Sequence, residues 1–216
     1  MTTRANQAAL ELIYRRFSAE EFEPGSTLGP DEIRQLVEDA TRAPSSFNLQ
    51  HWRFVAVRGA EDKRRLMAAA YGQEQVARAA VTFIVLGDTR AVDRLPGIMQ
   101  AAVQHGAIAE GRAASWLRMA GEIYADARAA REEAIRSASL AAMVLMLAAE
   151  ARGLAAGALS GFDPERVARE FGIEPRYVPV MLVAVGHPAG RPQERMPRLA
   201  VDEVLAFDRW PGTESG

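Results

Sequence analysis

The sequence predicts an α/β or α+β domain, with helices on both faces of a sheet. Three observations predict it. Val81–Leu86 (VTFIVL) and Val180–Val185 (VMLVAV) are continuous apolar, β-branched runs, the pattern of strands buried on both faces. Amphipathic stretches accompany them: Ile33, Leu36, Val37 and Ala40 recur at the i, i+3, i+4, i+7 spacing of one helix face. Ala134–Ala149 is apolar nearly all round, so that helix must run through the centre of the core or of a subunit interface. The strands are too few and too irregularly spaced for a full doubly wound fold.

Taken in order, Ala5–Arg16 reads as a first helix, and Pro24, Gly25 and Gly29 mark a loop. Pro30 stands at a first helical position, with Asp31 and Glu32 in the favoured acidic first turn. Pro44 ends that helix. Arg53–Val57 (RFVAV) reads as a strand and Asp62–Ala70 as a helix. A long helical region runs from Leu95 to Arg152. Asp163-Pro164-Glu165 opens a further helix, with aspartate as N-cap and proline at N1, and Gly172 terminates it.

Composition narrows the function classes. The 216 residues are 49% hydrophobic and 25% charged, a balance that supports one core. The net charge of −2 excludes a general nucleic-acid binder. There are no cysteines, so disulfides, thiolate nucleophiles and thiolate metal sites are excluded. His51, His105 and His187 are scattered without metal-ligand spacing, which predicts no metal site. The N-terminal stretch carries Glu11 inside its apolar part and does not read as a signal peptide. The longest apolar run, Leu140–Ala149, falls short of the ~20 residues a membrane span needs. The expectation is a cytoplasmic protein with no membrane and no nucleic-acid partner. Nearly all positive charge is arginine, Lys63 being the single lysine, and guanidinium groups suit phosphate.

Nucleophile elbow, P-loop and dinucleotide-fingerprint patterns are all missing. An enzyme-like core without side-chain catalysts points to chemistry carried by a cofactor. The densest polar cluster is Ala43–Trp52 (APSSFNLQHW), where Ser45, Ser46, Asn48 and Gln50 place neutral donors and acceptors on one loop. Such groups suit the edge of a flat heterocycle, or simply form a polar turn. Arg15 and Arg16 end the first helix, where they either compensate its dipole or meet a phosphate. Arg195 and Arg198 lie in a second basic stretch, RPQERMPR, which reads as a solvated loop or as the other half of a phosphate site. Gly153–Gly161 (GLAAGALSG) is either a tight helix-to-strand connection or a backbone that approaches a ligand closely. Trp52 and Phe54 read as core residues, and His51 as a surface or satisfied histidine.

Together these segments resemble the nitroreductase family over nearly the whole chain. The resemblance rests on Arg15-Arg16, APSSFNLQHW, Gly72–Val76 (GQEQV), VTFIVLGD, Ala148–Glu165 (AAEARGLAAGALSGFDPE), and the late arginine-rich loop followed by a short end strand. It implies a single α+β domain over residues 1–216: a three-layer α/β/α sandwich with a central, mostly antiparallel sheet, in a domain-entwined homodimer. It also implies two FMN sites at the interface. Arg15, Arg16 and Arg195 or Arg198 would hold the phosphate. Ser45, Ser46 and Asn48 would reach in from the partner. Ala158, Leu159, Ser160 and Gly161 would line the isoalloxazine, with Gln73 or Gln75 near the ring or ribityl chain. The family's early motif usually reads Arg-Arg-Ser-x-Arg; Phe17 holds the serine place here and Ala19 the second basic place, with Ser18 as a compensating hydroxyl.

The resemblance further implies hydride transfer from NADH or NADPH to nitroaromatic or quinone-type acceptors by a ping-pong mechanism. Flavin N5 would carry the chemistry, with no catalytic side chain. The alternatives are other FMN chemistry on the same fold, such as dehalogenation or enone reduction, and a non-catalytic flavin-binding sensor. Residues 88–131 could build a lid, in which Trp116 and Tyr124 either contact substrate or pack as core.

Overall fold

A computed structural model describes residues 4–190 and 196–210. Its helices and strands, in chain order, are α1 (Arg4–Arg15), α2 (Pro30–Ala40), β1 (Trp52–Val57), α3 (Ala60–Ala69), α4 (Gln75–Arg78), β2 (Val81–Asp88), α5 (Leu95–Gln104), α6 (Glu110–Ile123), α7 (Ala127–Ala151), β3 (Ala155–Leu159), α8 (Pro164–Glu170), β4 (Tyr177–Gly186) and α9 (Val201–Val204). The four strands form one antiparallel sheet in the order β1-β2-β4-β3.

The sheet is the middle of three layers, because its two faces feed separate apolar clusters. Alternate residues Phe83, Val85, Val183 and Val185 point to one face and pack with Leu36 of α2 and Leu145 of α7. Ile84, Leu86, Leu182 and Ala184 point to the other and pack with Leu66 of α3, Val76 of α4 and Val167 of α8. Each fully buried aliphatic side chain contributes about 1.5–3 kcal/mol, so these two layers carry the fold. β2 is buried along its whole length, as its unbroken apolar pattern requires. A smaller cluster joins α5 and α6 to Leu49 and Ala91.

The apolar helix of the sequence is α7. It lies across all four strands and also contacts α2 and α1. At 25 residues it is long and apolar enough to cross a membrane by length and composition alone; half of its most apolar 18-residue stretch is buried inside the protein. It approaches the sheet closely because Gly87 has no side chain: a Cβ there would meet the Ala134 carbonyl at 2.6 Å.

The expected helical region 95–152 is helical and consists of three helices, broken where Gly106 takes φ +68° and where Asp126 caps α7 by accepting from the Arg128 amide at 3.0 Å. Other expectations are corrected. Gly153–Gly161 is not merely a connection, for it contains the edge strand β3. Its small residues hide it from strand propensity, and they are required: a Cβ on Gly157 would meet the Ala19 carbonyl at 2.2 Å. Residues 196–210 hold the single helical turn α9, and no strand, among the described residues.

Candidate functional site

The first set of expected ligands gathers at the β3 edge of the sheet. After α1 the chain turns extended and bridges β3 in parallel, Ser18 to Ala156, with the Ala19 amide donating to the Ala156 carbonyl at 3.0 Å. Extended chain alternates its side chains. Ala19 is 2% exposed in the core and Phe17 packs against the same cluster, whereas Ser18 is exposed and Arg16 partly so. The polar face is therefore one residue away from Phe17 and Ala19: it carries Arg16 and Ser18. Phe17 meets a hollow of about 310 Å³ on one side, lined also by Arg15, Glu150, Leu154, Pro188 and Gly190.

The two early arginines differ. Arg15 donates Nε and Nη2 to one carboxylate oxygen of Glu150, at 3.2 and 3.1 Å. Arg16 has no carboxylate partner among the described residues. Arg198 is exposed, and Arg195 lies outside the described residues.

At the far end of β3, Ala158, Ser160 and Gly161 are exposed while Leu159 is buried at 4%. Gln73 donates its Nε2 to the Gly161 carbonyl at 2.5 Å and to the Ala70 carbonyl at 3.1 Å. Asp163 fixes the turn beyond, its amide donating to the Ala69 carbonyl at 2.9 Å and its carboxylate accepting from the Arg166 amide at 2.9 Å. Gln73, and not Gln75 in the first turn of α4, is thus joined to the Gly161 segment. From Ala155 to Gly161 the chain spans about 20 Å at strand rise, room for a tricyclic ring, a ribityl chain and a phosphate. A guanidinium at one end and amide, hydroxyl and open backbone at the other is a donor set that fits FMN.

The second set lies at the opposite edge. Ser45, Ser46 and Asn48 precede β1, three strand intervals from β3, or about 14 Å at the usual spacing of paired strands. One protomer therefore does not bring them to Gly161. Their loop is strained: Phe47, Asn48 and Gln50 take φ +50°, +55° and +50°. Non-glycine residues held there cost about 1–3 kcal/mol each. Ser45 Oγ accepts from the Gln50 amide at 2.9 Å, and Ser46 Oγ accepts from the Tyr124 hydroxyl at 2.8 Å. Both serines keep their own protons to donate outward, and the Asn48 side chain is exposed.

Around this loop stand groups that sequence reasoning missed. Asp88 is fully buried at the end of β2, and its carboxylate accepts from Arg94 at 2.5 Å, three times from Arg176 at 2.9–3.0 Å, and from the Arg90 amide at 3.0 Å. Burial alone would raise its pKa, but the hydrogen bonds from Arg94, the Arg90 amide and Arg176 hold it below the usual carboxylate range. Arg94 also donates to the Leu49 and Gln50 carbonyls, at 3.0 and 3.2 Å. A lone Asp in VTFIVLGD and an Arg six residues on gave no local signal, since their partners are up to 88 residues away.

His51 corrects an expectation: it is 2% exposed, not on the surface, and its Nδ1 has no hydrogen-bond partner among the described residues. Burial lowers its pKa, against the opposing pull of Glu133 and Asp88. Trp52 is core, as expected, and Phe54 packs against the same cluster. Trp116 and Tyr124 stack edge-on to Phe47, with centroids at 5.6 and 6.3 Å, so α6 braces the strained loop. No cluster of His, Cys, Asp or Glu suited to a metal occurs among the described residues.

Comparison with known proteins identifies the family. Residues 13–187 match the model of the nitroreductase family. The chain is 34% identical over 198 residues to the NAD(P)H nitroreductase-type protein YodC of Bacillus subtilis strain 168, covering 92% of this chain and 98% of that one. The solved structure of the nitroreductase-type protein ydfN of Bacillus subtilis superposes with a TM-score of 0.86 at 30% identity, covering 93% and 99%. A nitroreductase-type protein of Exiguobacterium sibiricum, solved in complex with FMN, superposes with a TM-score of 0.81 at 31% identity, covering 92% and 96%. With its sheet order, its β3 edge and its polar loop in place, the chain belongs to the nitroreductase family.

Proposed function

We propose that this protein is an FMN-dependent NAD(P)H oxidoreductase that works as a homodimer on nitroaromatic or quinone-type acceptors. The observation that carries the reading is the donor set along the β3 edge, from Arg16 and Ser18 to Gln73, Ser160 and Gly161. When bound, FMN supplies the redox chemistry, accepting a hydride from NADH or NADPH and returning two electrons to the acceptor in a ping-pong cycle. The protein binds and orients. Arg16 would hold the phosphate, with Arg15 and Arg198 as the further guanidinium candidates. Gln73 and the Ser160–Gly161 backbone hold the ring edge. The absence of a nucleophile–base pair is in keeping with this division of labour.

Two features support the homodimer. The Ser45–Asn48 loop is too far from Gly161 within one chain, and a two-fold axis would bring a partner's loop to it. The segment 196–210 exposes Met196, Leu199, Val201, Phe207 and Trp210, which need a partner surface. β1 is an edge strand among the described residues, with a groove of about 620 Å³ beside it lined by Ile33, Val37, Trp52 and Phe54. An end strand from a second copy would find its backbone partners there, which explains why residues 196–210 form no strand alone.

The test is the visible absorption spectrum of freshly purified protein, with added FMN as control. Flavin bands that bleach with NADH or NADPH and return with a quinone are expected. A colourless protein that takes up no FMN would overturn the reading.

A further inference from the structure

The left-handed residues Phe47, Asn48 and Gln50 persist only where their surroundings over-determine them. Arg94 is the side chain that ties the loop to Asp88. Its Nη1 donates to the Asp88 carboxylate while its Nη2 donates to the carbonyls of Leu49 and Gln50. Asp88 is itself a rigid reference, fully buried, paired through β2 and bound by Arg176. Its amide donates to the His51 carbonyl at 2.7 Å, so the loop's end is pinned from the same residue. Arg53 adds a bond to the Gln50 carbonyl at 3.2 Å but sits 3.7 Å from Asp88. Only a planar fork of donors holds two carbonyls and a carboxylate at once.

We propose that Arg94 is a positioning residue for the flavin. By clamping Leu49 and Gln50 to Asp88, it holds the Ser45 and Ser46 hydroxyls and the Asn48 amide in the one arrangement that binds the cofactor. The proposal rests on the reading of the chain as an FMN oxidoreductase. Arg94 touches no cofactor atom; it acts through the loop.

Arg65 provides the control, because it ties α3 to α8 through the Glu170 carbonyl at 2.8 Å and touches neither Asp88 nor the loop carbonyls. In the full chain, FMN affinity is measured by flavin fluorescence titration beside the melting temperature. Arg94→Met should raise the FMN Kd roughly tenfold or more, the loss expected for a charged hydrogen bond. Arg65→Met should lower the melting temperature and leave the FMN Kd unchanged. If Arg94→Met does not fold, Arg94→Lys keeps a charge against Asp88 without the fork and should weaken FMN in the same direction. An unchanged Kd in the folded Arg94 variants would overturn the proposal, as would equal weakening by Arg65→Met. Wild-type protein that takes up no FMN would overturn the flavin reading, and the clamp with it.

Discussion

Arg15 and Glu150, 135 residues apart in sequence, form an ion pair at 3.1 Å beside the hollow next to β3. The pair joins the end of α1 to the end of α7. It also engages the guanidinium that would otherwise compete for a phosphate, leaving its neighbour Arg16 as the early cation with no carboxylate partner among the described residues.

The two arginines should therefore be unequal in cofactor binding. Arg16→Ala is expected to weaken FMN roughly ten- to a hundredfold, the loss of a charge-assisted hydrogen bond. Arg15→Ala should weaken it less, since Glu150 already accepts from its Nε and Nη2. Titration of both variants with FMN checks the order, and a larger effect at Arg15 would reverse the assignment.

His51 gives the fold a pH dependence near neutrality. Its imidazole is buried and its pKa lowered, so the unfolded chain binds a proton more readily than the folded one. Stability is then highest at a pH above the unfolded value of about 6.5, and falls as the pH drops from there towards the folded value. Melting temperatures at neutral and mildly acidic pH should show this fall. His51→Gln should flatten it, and an equal slope in wild type and variant would show that another group is responsible.

Asp88 sets the acid limit. Its folded pKa is depressed, so its charge stabilises the fold above the unfolded value of about 3.9, and that stability is lost as pH falls through the folded value. Asp88→Asn removes a buried anion and leaves Arg94 and Arg176 facing each other's charge. The expected cost is about 3–5 kcal/mol at neutral pH, read by urea unfolding, with a shallower acid limb.

Two glycines predict opposite signs. Gly157→Ala places a Cβ 2.2 Å from the Ala19 carbonyl, backbone against backbone, so β3 or the 16–19 segment must shift and stability must fall. Gly121 lies within α6, and a methyl group added there would meet nothing within 4 Å, so Gly121→Ala should stabilise by about 0.8–1.0 kcal/mol. Thermal unfolding of the two single variants separates a close-approach glycine from an incidental one.

Much of the fold was legible in local pattern. VTFIVL lies in β2 and VMLVAV in β4, where burial is complete from Leu182 onward and Val180 and Met181 are partly buried; Pro30 and Asp163 mark true helix starts, and the apolar helix is α7. These hold because periodicity and capping act between residues a few positions apart. The order of polar motifs along the chain was equally visible, and it carried the family resemblance. What only the tertiary structure decided depends on partners remote in sequence. β3 is a strand because small residues let Ala19 approach it, which no propensity records. The polar face near the N-terminus carries Arg16 and Ser18 because pairing with Ala156 sets the alternation. Gln73 was separated from Gln75 by its bond to Gly161. The left-handed conformations of Phe47, Asn48 and Gln50, finally, occur in a loop whose Leu49 and Gln50 carbonyls accept from Arg94, a residue 44 or more positions away in sequence, so no local pattern announces them.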